Sequence, residues 1–129
     1  MANTSSFKRN LIEGRAALIV IDIQSSTFID RSDMRAIDNM PGYRERMERA
    51  RLAIDAAREH QAPVIFIQEV HRPDLVDFGR ELDGDEDVHC LEGDPGTEIA
   101  EKEMGFVATD YLVRKRRSSA CLLYTSDAA

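Results

Sequence analysis

The chain has 129 residues, with 24 acidic against 17 basic side chains and a formal charge of -7. That length holds one domain at most, and 43% hydrophobic with 32% charged residues is the composition of a globular chain rather than a disordered one. The acidic balance argues against general nucleic-acid binding, which needs a basic surface to displace counterions.

In chain order, the first structured stretch is RAALIVIDIQ at residues 15–24. Six uncharged residues, 16–21, run into Asp22. Such a run suits a strand buried on both faces of a parallel sheet, and it leaves an acid where strand gives way to loop, the place where open α/β sheets bind ligands. Residues 25–40 are polar and without period, with Phe28 and Ile29 as an isolated apolar pair, and read as a long loop. From Tyr43 the period is helical: Met47, Ala50, Ile54 and Ala57 fall on one face, and Arg44, Glu48, Arg51, Asp55 and Arg58 lie on the other at pairing distance. Pro63 ends that helix, since the residue before a proline is pushed toward extended geometry. The β-branched run at residues 64–67 is the second expected strand. Strand, helix, strand makes a right-handed βαβ unit, hence an α/β fold with a Rossmann-like parallel sheet and flanking helices.

Residues 68–95 form a long polar insertion whose acidic run, 81–87, reads as a solvated loop with at most weak cation binding. A short helix is expected over residues 96–103, with Asp94 near its cap, Pro95 in its first turn and Gly105 after its end. Leu112 and Val113 mark a short third strand that would deliver Lys115 to the same sheet edge as Asp22. A carboxylate and an ammonium meeting there would hold each other ionised and perturb any group between them, which suits activation of a nucleophile; a structural ion pair is the competing reading. No glycine-rich phosphate loop follows any strand. His71 and His89 lack the spacing of a metal pair on one element, so neither a metal site nor a cofactor is expected. Cys90 and Cys121 form no CxxC and no spaced framework, which fits a reducing compartment. No apolar run approaches the roughly 20 residues of a membrane helix, and residues 1–10 lack a hydrophobic signal core, so a cytoplasmic protein without membrane or nucleic-acid partners is expected.

Taken together, ALIVIDIQ followed by Phe28, then HRPD at residues 71–74, HCLEGDPG at 89–96 and VRKRR at 113–117 resemble the isochorismatase-like cysteine hydrolases over residues 15–120. The resemblance implies that Asp22 takes the proton from a cysteine thiol and that Lys115 holds the thiolate. The thiol then attacks a small amide, ureide, carbamoyl or isochorismate-type substrate, and water clears the covalent intermediate. It implies a pocket lined by Gln24, Phe28 and Arg72, a small-molecule substrate and a homo-oligomer.

The sequence departs from that pattern in one respect. In the family the nucleophilic cysteine opens the helix after a fourth strand, and 129 residues stop short of one. Cys90 sits in the long loop, and Cys121 stands where the family has phenylalanine after Ser-Ala. The chain is therefore expected to be a single partial domain, 1–129, without activity of its own, with residues 121–129 a non-native tail. A half sheet is also expected to be poorly stable. The alternative is an interaction module that pairs with a full-length relative, which a natural stop codon and co-purification with that relative would favour. An unrelated binding domain with a structural Asp22–Lys115 pair is a further alternative.

Overall fold

The computed structural model describes residues 13–29, 41–84, 87–117 and 119–121. Most of the loop expected at 25–40 and all but Cys121 of the tail expected at 121–129 lie outside them.

Three strands and two helices carry the described residues: β1 (Leu18–Ile21), α1 (Tyr43–Glu59), β2 (Val64–Glu69), α2 (Glu101–Met104) and β3 (Tyr111–Lys115). The strands make one parallel sheet in the order β1-β2-β3, as the alternation of apolar runs with a helix demands. Leu18 pairs with Val64 and Ile21 with Ile67, while Ile65 pairs with Tyr111 and Glu69 with Lys115. β1 is shorter than expected, beginning at Leu18, where the backbone N–H reaches Pro63 O at 2.9 Å. β2 is longer, because pairing with β3 extends it to Glu69.

Side chains alternate across a strand, so the register assigns two faces. Leu18, Val20, Val64, Phe66 and Gln68 share one face, and α1 packs there through Ile54, with Met47, Ala50 and Ala57 partly buried beside it. Val20, Ile54, Val64, Phe66, Ile99, Ala100 and Met104 form the core, and the Phe106 ring meets Phe66 edge-on at 5.1 Å. Ile19, Ile21, Ile65, Ile67, Tyr111 and Val113 share the other face, where Ile19 is 54% and Ile21 59% exposed. Glu69 and Lys115 lie on this second face, at its C-terminal end.

The helix expected over 96–103 is divided in two. Asp94 caps as expected, accepting from Gly96 N at 2.7 Å, but only a 3-10 turn follows, Pro95–Thr97. Residues 98–100 are drawn extended against the segment after β1: Ser25 N donates to Glu98 O at 2.7 Å and Gln24 bridges Ile99. Burial of Ile99 and Ala100 outweighs the local helical preference. α2 then makes one turn and stops at Gly105, whose φ of 62° is the left-handed conformation that glycine adopts without penalty.

Candidate active site

β1 and β3 flank β2, so the two residues that close the outer strands converge on its end. Lys115 Nζ lies 2.9 Å from Asp22 Oδ2 and donates to Glu69 Oε1, also at 2.9 Å. Asp22 reaches this position through its backbone. The last ladder bond, Asp22 N to Ile67 O at 2.9 Å, is followed by φ of 55°, a left-handed turn that aspartate tolerates better than most residues. Lys115 is 2% exposed, whereas the Asp22 side chain is 35% exposed. Burial, joined by the Glu69 charge, pushes the Asp22 carboxyl above its usual range against the pull of the Lys115 ammonium. Burial alone would lower Lys115, but hydrogen bonds to Glu69 and Asp22 outweigh it and leave the ammonium above its ordinary pKa. The site therefore holds a full cation beside a carboxylate that accepts a proton more readily than a free one.

Behind Glu69 lies a second group of side chains. Glu69, His71, Glu81 and His89 place one ligand atom each within 4.8 Å of one another. His71 Nε2 is 3.7 Å from Glu69 Oε1 and 3.5 Å from Glu81 Oε2, and His89 Nε2 is 3.8 Å from Glu69 Oε2. Tetrahedral zinc with bonds of about 2.1 Å separates its ligands by about 3.4 Å, close to these values. His71 is fully buried, and neither of its ring nitrogens makes a hydrogen bond among the described residues. Burial holds its pKa below the usual range against the three surrounding carboxylates, so the ring is neutral at pH 7, as a metal ligand must be. His89 Nδ1 lies 2.6 Å from Asp87 O, a carbonyl that only accepts, so Nδ1 donates there and Nε2 is the nitrogen that faces the cluster. Phe78 stacks on His71 at 3.9 Å and closes one side.

The donor set thus fits a divalent cation of the zinc class, although no metal site is read from the sequence. Spacing along the chain fails here because the ligands come from different elements. A bridge between His71 and Leu91 folds the long insertion back on itself, with His71 N donating to Cys90 O at 2.7 Å and Glu92 N to His71 O at 2.8 Å, and so carries His89 over the end of β2.

The profile of the isochorismatase domain matches residues 16–127. The chain belongs to the isochorismatase family. No curated protein matches this family member, but solved structures do. N-carbamoylsarcosine amidase from Thermoplasma acidophilum is 26% identical with a TM-score of 0.64, over 83% of this chain and 55% of that one. An isochorismatase-like hydrolase from Alkaliphilus metalliredigens is 22% identical with a TM-score of 0.65, over 88% and 62%. The pyrazinamidase of Pyrococcus horikoshii, solved in complex with zinc, is 21% identical with a TM-score of 0.58, over 77% and 50%. The isochorismatase-family chain thus spans 50% to 62% of these structures and has the α/β fold of its family, in shorter form.

Of the pocket residues named from the sequence, the structure brings one to the dyad. Gln24 is buried beside it, but its amide is taken up by backbone: Nε2 donates to Glu69 O at 3.0 Å and Thr97 O at 2.7 Å, and Oε1 accepts from Glu69 N at 2.9 Å. Gln24 therefore positions the end of β2. Phe28 is partly buried against the core cluster. Arg72 is exposed, its guanidinium paired with Asp74 at 2.7 Å within its own loop. Cys90, set aside on sequence as a loop residue, lies at the site, its Sγ 3.6 Å from Gln24 Nε2. Burial, with Glu69 next, pushes its thiol up to about 12, so it is protonated and a poor nucleophile at neutral pH. Cys121 is exposed. Glu69 and Glu81 had no sequence signal beyond their charge. Among the described residues no helix is long and apolar enough to cross a membrane.

Proposed function

We propose that residues 15–117 carry the acid and the ammonium of a thiol-dependent hydrolase that acts on the C–N bond of a small amide, ureide or carbamoyl compound. The observation behind this reading is the 2.9 Å contact of Lys115 Nζ with Asp22 Oδ2 at the C-terminal edge of a parallel sheet. Asp22, its pKa raised by burial, serves as the base that takes a thiol proton. The Lys115 ammonium stabilises the thiolate and then the negative charge of the tetrahedral adduct. The thiol attacks the carbonyl carbon, the amine leaves with the proton, and water hydrolyses the thioester. The names of two neighbours, an N-carbamoylsarcosine amidase and a pyrazinamidase, favour amides and carbamoyl compounds over isochorismate-type vinyl ethers. Neither thiol of the 129 residues suits the nucleophile's part, so this chain is expected to be inactive.

We further infer that Glu69, His71, Glu81 and His89 hold a divalent cation, which when bound would supply a Lewis-acid contact for a substrate heteroatom. A neutral, buried His71 without a hydrogen bond among the described residues supports it, since leaving such a group unsatisfied costs about 1–3 kcal/mol.

The test is ammonia release from a panel of primary amides, carbamoyl compounds and ureides. It compares the 129-residue chain with the product of the source gene carried through the codons beyond Ala120. The expected outcome is turnover by the longer product alone, reduced about 10²–10⁴-fold by Asp22→Asn. Undiminished turnover in Asp22→Asn would falsify the assigned role.

A further inference from the structure

Glu69 belongs to both groups of side chains. Its Oε1 accepts from Lys115 Nζ at 2.9 Å and faces His71 Nε2 at 3.7 Å, while Oε2 faces His89 Nε2 at 3.8 Å. Lys115 in turn has two anionic partners at equal distance, Asp22 and Glu69. We propose that Glu69 is a shared carboxylate through which a divalent cation on the histidine cluster controls the Lys115–Asp22 pair. An occupied cluster draws Glu69 away from Lys115, whose charge then goes to Asp22 and the reacting atoms. This rests on the metal reading of the cluster given above.

Electrostatics sets the direction. The Lys115 ammonium occupies an oxygen that a cation would use and places a positive charge beside it, so lysine and metal oppose each other through Glu69. Asp22 relieves that opposition by taking half of the lysine's contacts. Because coupling free energies are reciprocal, whatever strengthens the Lys115–Glu69 bond weakens cation binding by the same factor. Glu69 is thus a positioning residue, and removing Asp22 has the opposite effect on metal affinity from removing Lys115. A Glu69 that merely completes a rigid ligand cage predicts otherwise: losing its lysine support would loosen the cage and weaken binding.

Zinc affinity measured by titration calorimetry on the 129-residue chain reads this without any turnover. Lys115→Met is expected to bind zinc about tenfold more tightly than wild type. Asp22→Asn, which leaves Lys115 with Glu69 alone, should bind it severalfold more weakly, and this variant carries the test if Lys115→Met does not fold. Unchanged affinity in Asp22→Asn, or weaker binding in Lys115→Met, overturns the coupling while leaving the metal site standing. Failure of wild type to bind zinc, or binding that survives His71→Ala, overturns the metal site and the coupling with it.

Discussion

Asp22 and Cys90 share a backbone peculiarity: both are non-glycine residues at positive φ, 55° and 50°, and both flank Gln24. For Asp22 the left-handed turn breaks the strand's alternation and brings the carboxylate round to Lys115. For Cys90 it places the sulfur under the Gln24 amide, where burial rather than any cation governs it. Its thiol, pushed up to about 12, contributes stability only while protonated, so that contribution is constant through neutral pH and fades above the unfolded value of 9.0. Alkylation by iodoacetamide at pH 8, followed by mass spectrometry, should modify exposed Cys121 readily and Cys90 at least about a hundredfold more slowly, since the thiolate is the reacting species. Comparable rates at the two thiols would contradict the position assigned to Cys90.

At the scale of elements, Gly105 shows how one residue fixes the route between α2 and β3. Its φ is 62°, and a Cβ placed there would come within 2.6 Å of the Arg51 guanidinium, which itself donates to Glu103 O at 3.3 Å. Gly105→Ala should therefore cost about 1–2 kcal/mol in urea unfolding, from backbone strain and displacement of Arg51; an unchanged midpoint would mean the turn is not held as described.

What the sequence made legible follows the same local logic. Asp22 and Lys115 each end an apolar run, so strand geometry alone placed them together, and the α1 period announced its buried stripe around Ile54. The cluster of Glu69, His71, Glu81 and His89 depends on one long-range bridge, His71 to Leu91, which no local pattern encodes. The break before α2 was hidden for a related reason: residues 98–100 pair with a segment far away in sequence. Gln24 was named as a pocket residue only because the family resemblance implied it. Only the backbone around it reveals that its amide is already used.

Among the described residues, α1 covers one face of the sheet, while on the other Ile19, Ile21 and Tyr111 are exposed, an arrangement parallel sheets seldom keep. The Lys115–Asp22 pair sits at the C-terminal end of that second face, beside the exposed side chains of Ile19 and Ile21. The apolar core lies on the covered side, in Phe66, Ile54 and their neighbours, and the Asp22 charge is expected to add nothing to it at pH 7. Asp22 illustrates this. Its folded pKa is raised, so its contribution is present below the unfolded value of 3.8 and is lost as pH rises through the folded one. At pH 7 the charged carboxylate opposes folding. The raised Lys115 pKa points the other way, but that ammonium leans first on Glu69 and keeps a partner without Asp22.

Thermal unfolding of Asp22→Asn beside the wild-type 129-residue chain at pH 7 is the most direct test of Asp22 as reaction machinery rather than a structural ion. The expected midpoint lies within about 3 °C of wild type or above it, since removing the charge removes a cost. A structural buried pair would lose about 3–5 kcal/mol on breakage. A fall of more than about 10 °C would therefore contradict the account.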